Sequence, residues 1–272
     1  MFQGKKIAVI GGGKMGSIIA QALIERKLCE KKNLAVTDID AARRNLLASQ
    51  TGIDVSDDNK NTVKDAEIII LAIKPQNMRE TLAEISPYID HNKVVISVAA
   101  GITTALMESL LPAGARVLRV MPNTPALVGE GATAIAKGKR ATNADLKLTR
   151  AIFDAVGLSV EVEEIFMDAV TGLSGSGPAY FFLIIEALTD AGEKAGLPRD
   201  LAAKLSVQTM LGAARLCLQG NREPAELREM VTSPGGTTAA GLKALNEGNI
   251  REVIIAAVEA ATARAAELAG GK

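Results

Sequence analysis

Two hydrophobic periods divide this chain. Through its first half, short apolar runs recur at 7–10, 34–38, 68–73, 94–98 and 116–120, each bounded by polar or glycine-containing turns. Runs of this length between turn signals read as buried strands. The stretches between them carry a helical period. After the first run, Met15, Ile18, Ile19, Ala22 and Leu23 fall on one helix face. Strand alternating with helix predicts a doubly wound parallel sheet of Rossmann type. A polar loop is expected at 57–59. The runs at 131–136 and 158–162 read as the last strands, with a helix over 145–155 between them.

Near residue 163 the pattern becomes helical throughout. Helices are predicted over 165–173, 179–195, 199–218, 224–231, 239–245 and 250–268, broken at Gly175-Ser176-Gly177-Pro178 and Gly196-Leu197-Pro198. Two domains follow: 1–163 for the alternating half and 164–272 for an all-helical half. The helix over 179–195 opens AYFFLIIEAL, apolar on nearly every face. Such a helix must be buried all round. A helical half of roughly 110 residues can hardly enclose it alone, so a subunit interface is expected.

Between the first strand and its helix lie Gly11, Gly13 and Gly16 in G-x-G-x-x-G spacing, within the stretch Gly11, Gly12, Gly13, Lys14, Met15, Gly16. Gly11 permits a tight turn, Gly13 lets the backbone approach a pyrophosphate, and Gly16 lets helix pack on strand. The free N–H groups of the helix start then face phosphate charge. Ser17-Ile18 follows in place of Lys and Ser/Thr, which excludes a P-loop and favours a dinucleotide over ATP. Asp38 comes 22 residues after Gly16, where a carboxylate accepts hydrogen bonds from the adenosine ribose and repels a 2′-phosphate. Arg43 and Arg44 follow and offset that repulsion. The alternative is that Asp38 or Asp40 only caps the helix starting near Ala41. Further strand ends carry Lys74-Pro75, Ala99-Ala100-Gly101 and Asn123, the last a candidate partner for the nicotinamide amide or plain turn chemistry.

Composition removes several functions. Lys+Arg and Asp+Glu both number 31, so nothing marks a nucleic-acid or acidic-membrane partner. With no Trp, two Tyr and five Phe, a base-stacking platform is implausible. No apolar run reaches ~18 residues and no signal peptide is read, so a cytoplasmic protein is the default expectation. Cys29 and Cys217 read as small packing residues. The single histidine, His91, sits in a polar turn, which rules out a multi-histidine metal site and disfavours a Ser-His-Asp triad. The segment GLSGS at 172–176 also misses the GxSxG elbow, because position 176 is Ser.

The most loaded segment of the second half is Thr232-Ser233-Pro234-Gly235-Gly236-Thr237-Thr238, opening a helix. Bare backbone, a positive helix end and hydroxyl donors suit a small carboxylate; an ordinary Ser/Thr cap is the alternative. With it stand GGGKMG at 11–16, AIKP at 72–75, VAAG at 98–101, RVMPNTP at 119–125 and DAVTGLSGSGPAYFF at 168–182. Together these stretches resemble the pyrroline-5-carboxylate reductase family. The resemblance implies reduction of 1-pyrroline-5-carboxylate to L-proline with NADPH or NADH, the last step of proline biosynthesis. It implies that backbone groups at Gly236 and Thr237, with the Ser233 and Thr238 hydroxyls, hold the substrate. Thr238, the catalytic residue, then lies against the ring nitrogen, and Glu164 is an acidic neighbour. It places cofactor contacts at Asn59, Ala72, Lys74, Pro75, Ala99, Ala100 and Met230. It also implies an intertwined homodimer through the helical half, assembled further into rings.

This chain departs from the family pattern at Thr237, where some relatives carry Ala, and at Asp38, since many relatives use NADPH. Imine reduction suits a chain without a catalytic histidine, because a protonated imine is already a good hydride acceptor. A β-hydroxyacid dehydrogenase on the same plan needs Lys four residues after a G-x-G; here Gly175-x-Gly177 leads to Phe181. A cofactor-binding scaffold without catalysis is the third reading, and the intact hydroxyls at 232–238 argue against it.

Overall fold

β1 (Ile7–Ile10) is buried on both faces and lies inside a single sheet. Its side chains alternate between two cores: Ile7 and Val9 pack with Ile18, Leu23 and Phe153, whereas Ala8 and Ile10 pack with Val63, Leu82 and Met107. A strand with no solvent face needs helices on both sides. The computed structural model describes residue 2 and residues 4–270.

β2 (Leu34–Thr37), β3 (Asp54–Ser56), β4 (Ile68–Leu71), β5 (Val94–Ser97), β6 (Arg116–Met121), β7 (Gly131–Lys137) and β8 (Gly157–Glu161) complete the sheet in the order β3-β2-β1-β4-β5-β6-β7-β8. The chain steps outward from β1 to β3, then crosses back to β4 on the other side of β1. That reversal opens a crevice at the carboxyl ends of the strands. β1 to β6 are parallel, but β7 runs antiparallel to β6. The doubly wound parallel sheet expected from sequence is thus present, with one antiparallel pairing at β6–β7. Between β6 and β7 the chain holds only a short 3-10 turn, Thr124–Val128, and Gly129 at φ +76°. A parallel return needs a crossover of about a dozen residues or more. β3 has no apolar run; its residues are exposed or half-buried, so no periodicity announced it.

α1 (Lys14–Glu25), α2 (Ala41–Thr51), α3 (Asn59–Lys64), α4 (Met78–Ile85), α5 (Thr104–Leu110) and α6 (Asn143–Phe153) cover the sheet. α3 is short, and two devices hold it. Asp58 accepts the Asn61 N–H at its start. At its far end the buried Lys93 ammonium donates to the carbonyls of Val63, Lys64 and Ala66 at 2.8, 2.8 and 2.7 Å. Burial pulls Lys93 below its ordinary pKa, with Asp90, Glu67 and Asp65 opposing the shift.

The second half comprises α7 (Met167–Val170), α8 (Gly177–Lys194), α9 (Arg199–Leu218), α10 (Pro224–Met230), α11 (Thr237–Glu247) and α12 (Ile250–Ala269). The single helix expected over 165–173 is a 3-10 turn, α7 and a π-helical turn, Thr171–Gly175. Thr171 and Ser174 hydroxyls bond the carbonyls of Met167 and Val170, and the Ser176 N–H reaches back to Thr171. Hydroxyls competing for helix carbonyls disturb regular winding. α11 begins two residues earlier than the predicted 239.

The chain divides into two compact units, one with residues up to Ser176 and from Ala260 onward, the other Gly177–Glu259. In the second unit α8 and α9 lie close: a Cβ on Gly192 would stand 2.8 Å from that of Ala202. Phe181, Phe182, Leu183, Val253 and Ile255 are each more than half exposed within one chain. So broad an apolar surface marks an interaction face. Among the described residues no helix is long and apolar enough to cross a membrane.

Candidate active site

Gly11 leaves β1 with φ +101°, a region that glycine alone enters freely. A Cβ here would stand 2.5 Å from the Ala72 carbonyl oxygen. The turn is tied down, since the Gly11 N–H donates to Thr37 at 2.7 Å and the Ala72 N–H to Ile10 at 2.8 Å. Gly13 is the N-cap of α1, with no capping side chain and open space where a Cβ would be. A Cβ at Gly16 would run into the Gly11 carbonyl, so helix and turn are in backbone contact. The first turn of α1 has no acidic residue. Its positive end thus lacks a side-chain counter-charge from its own first turn, as a diphosphate site requires.

Above this turn a cleft of about 890 Å³ opens at the carboxyl ends of β1, β2, β4 and β5. Gly11, Gly12, Gly13, Lys14, Met15, Asp38, Asn59, Ala72, Lys74, Pro75, Ala99 and Ala100 all line it. Residues from the first hundred positions thus converge on one groove of dinucleotide size. Asp38 is no helix cap; Asp40 takes that role, accepting the Ala42 and Arg43 N–H groups. The Asn59 amide bridges Thr37, from which it accepts, and Glu84, to which it donates. A second cavity of about 830 Å³ lies beneath the amino ends of β1 and β2, lined by Phe2, Ile24, Leu28 and Cys29. Burial pushes the Cys29 thiol up to about 11.

Two sequence-predicted cofactor residues have partners of their own. Asn123 is buried; its amide donates to the Ser174 carbonyl at 3.0 Å and accepts from the Ala132 N–H at 2.9 Å. It fastens the β6–β7 connection to the π turn and does not line the cleft. Met230 closes α10 with its sulfur against Arg222. His91 is exposed in its turn.

In the second unit, Gly235 has φ +70° and Gly236 is the extended N-cap of α11. The Gly236 N–H turns back to the Ser233 carbonyl at 3.0 Å. Neither a capping side chain nor an acidic residue occupies the start of α11. Thr237 and Thr238 therefore open the helix with free N–H groups, their hydroxyls beside a positive helix end. The sequence alternative of an ordinary Ser/Thr cap does not hold at this helix.

Sequence reasoning missed Arg119. This β6 residue is 2% exposed and grips two carboxylates, Glu164 at 3.0 Å and Asp168 at 3.3 Å. The Thr104 N–H also reaches Glu164 Oε1, whereas buried Glu164 Oε2 has no hydrogen-bond partner among the described residues. The available signal was an arginine between Leu118 and Val120, in the interior of a strand whose other charged residue, Arg116, stands at its start.

Comparison with known proteins agrees with these features. The profile described as pyrroline-5-carboxylate reductase dimerisation matches residues 164–268, and one described as NADP oxidoreductase coenzyme F420-dependent matches 6–101. The chain is 45% identical over 266 residues, 98% of each chain, to a pyrroline-5-carboxylate reductase of Methanosarcina acetivorans. Its structure resembles that of a Coxiella burnetii pyrroline-5-carboxylate reductase, with TM-score 0.92, 38% identity and 97% and 98% of the two chains covered. A Plasmodium falciparum pyrroline carboxylate reductase solved with NADP bound matches with TM-score 0.88 and 32% identity over 98% of each chain.

Proposed function

The chain belongs to the pyrroline-5-carboxylate reductase family, and from that premise we propose how its residues reduce 1-pyrroline-5-carboxylate to L-proline with NAD(P)H. The observation that carries the proposal is a pair of uncapped helix starts. α1 opens under a dinucleotide-sized cleft, and α11 opens behind two glycines and a run of hydroxyls. Each presents a positive helix end with no capping side chain and no acidic residue in its own first turn.

At the first, the backbone from Gly11 to Gly16 holds the pyrophosphate, with Lys14 adding charge. Asp38 and Asn59 take the adenosine end, and Ala72, Lys74, Pro75, Ala99 and Ala100 form the wall. The reduced nicotinamide supplies the hydride. At the second, the Gly236 and Thr237 backbone and the Ser233 hydroxyl bind the substrate carboxylate. The Thr238 hydroxyl hydrogen-bonds the ring nitrogen. Hydride adds to the imine carbon, the π electrons of the C=N bond move to nitrogen, and the nitrogen keeps the proton it carries. No strong base is needed, so the protein works mainly by orienting the reactants. Glu164, with one buried oxygen unpaired, supplies negative charge that favours the protonated imine.

In this reading residues 1–163 carry the cofactor, and 164–272 carry the substrate loop and the dimer contact. The exposed apolar residues of α8 and α12 form that contact, and dimers assemble further into a ring in the cytoplasm. The β-hydroxyacid dehydrogenase reading lacks its lysine, with Phe181 at that position.

Steady-state assay of the Thr238→Ala variant with pyrroline-5-carboxylate tests the proposal. Turnover should fall by about 10²-fold or more, with nucleotide affinity unchanged by titration. Wild-type turnover in this variant would overturn the substrate assignment.

A further inference from the structure

Asp38 ends β2 at the rim of the cleft, with its side chain 6% exposed. Its carboxylate is pinned by two backbone donors. Oδ2 accepts the Gly12 N–H at 2.9 Å, and Oδ1 accepts the Asp40 N–H at 2.8 Å. An ionised carboxylate has about four acceptor positions. Each oxygen therefore keeps capacity for a hydroxyl donor, while the group cannot swing away from an incoming anion.

The arginines that could welcome a 2′-phosphate are already engaged. Arg44 donates through one nitrogen to the Asp38 and Ile39 carbonyls at 2.8 and 3.2 Å, and through the other it pairs with Asp57 at 3.1 Å. Arg43 lies 3.7 Å from Asp38 and 3.4 Å from Asp40. Three carboxylates thus face two guanidiniums at this end of the groove. The other cleft cations, Lys14 and Lys74, stand at the glycine turn and after β4. They lie beside the pyrophosphate region in the dinucleotide arrangement.

We infer that Asp38 makes this reductase select NADH over NADPH, by accepting the ribose hydroxyls and repelling a 2′-phosphate where three carboxylates outnumber the two arginines. The inference rests on the proposed reading of the cleft as the dinucleotide site. In that setting an anion placed beside a fixed carboxylate meets direct repulsion in a poorly screened groove.

Isothermal titration of the full-length protein with NADH, NADPH, ADP-ribose and 2′-phospho-ADP-ribose tests it without reference to turnover. The unphosphorylated member of each pair should bind about tenfold more tightly, or better. Asp38→Asn keeps the shape and removes the charge, and should bring the ratio within each pair to about threefold or less. Arg43→Ala should leave the wild-type ratio within about threefold, because that guanidinium is already matched. A wild-type preference for NADPH, an unchanged ratio in Asp38→Asn, or selective loss of NADPH binding in Arg43→Ala would each overturn the inference. Failure of all four ligands to bind would instead overturn the dinucleotide reading beneath it. A melting curve for each variant separates lost folding from lost discrimination.

Discussion

Replacing Gly11 and Gly13 by alanine separates the two jobs of the glycine turn. At Gly11 an added methyl faces two penalties. The φ of +101° is foreign to L-residues and costs about 1–3 kcal/mol. The Cβ would also stand 2.5 Å from the Ala72 oxygen, 2.9 Å from its carbon and 3.0 Å from Ile73 Cγ2. Relief requires moving backbone that the Gly11–Thr37 and Ala72–Ile10 hydrogen bonds hold, at about 1–3 kcal/mol for an overpacked site. Together these make roughly 2–6 kcal/mol, which in a unit of this size lowers Tm by about 4–24 °C. Gly13 has φ −69°, ψ −168° and nothing within 4 Å of a Cβ. Gly13→Ala should lose only the modest N-cap preference for glycine, about 0.5–1 kcal/mol. Its methyl nevertheless occupies backbone that a pyrophosphate must approach, so NADH affinity should fall by about tenfold or more. Scanning calorimetry at fixed protein concentration and NADH fluorescence titration read the two effects. A Gly13→Ala protein that binds NADH like wild type would refute the phosphate role. A Gly11→Ala protein with unchanged Tm would refute the steric argument.

Two further perturbations probe the scaffold. Lys93→Met removes three ammonium hydrogen bonds from the carbonyls at the end of α3, so denaturant titration should show a loss of about 2–4 kcal/mol. Arg119→Met strips the cation from Glu164 and Asp168, each 29% exposed, and should cost about 2–4 kcal/mol after allowance for solvent. Adding Glu164→Gln to that variant should recover part of the loss in a thermal melt. If the double variant is as unstable as the sum of the single ones, the pair is not coupled.

Much of this molecule could be read one element at a time. Apolar runs located seven of the eight strands, and glycine spacing located the phosphate turn, because both signals depend on neighbours within a few residues. β3 escaped because an edge strand of Asp, Val and Ser carries no apolar run. The motif at 232–238 was conspicuous for the same local reason, a glycine pair ahead of a helix start.

The sequence alone therefore determined where most strands and helices form, where two helix starts follow glycines with no side-chain cap, and to which family the chain's motifs belong. Tertiary structure alone decided what each charged group is paired with. Pairing of β1 with β2 brings Gly12 onto Asp38, and the α2–α3 region brings Asp57 onto Arg44. Arg119 meets Glu164 and Asp168 across more than forty positions, and the Asn123 amide meets Ser174 and Ala132. Backbone preference is set by near neighbours in the sequence. The partner of a buried charge is set by which distant strands and helices the sheet order places side by side.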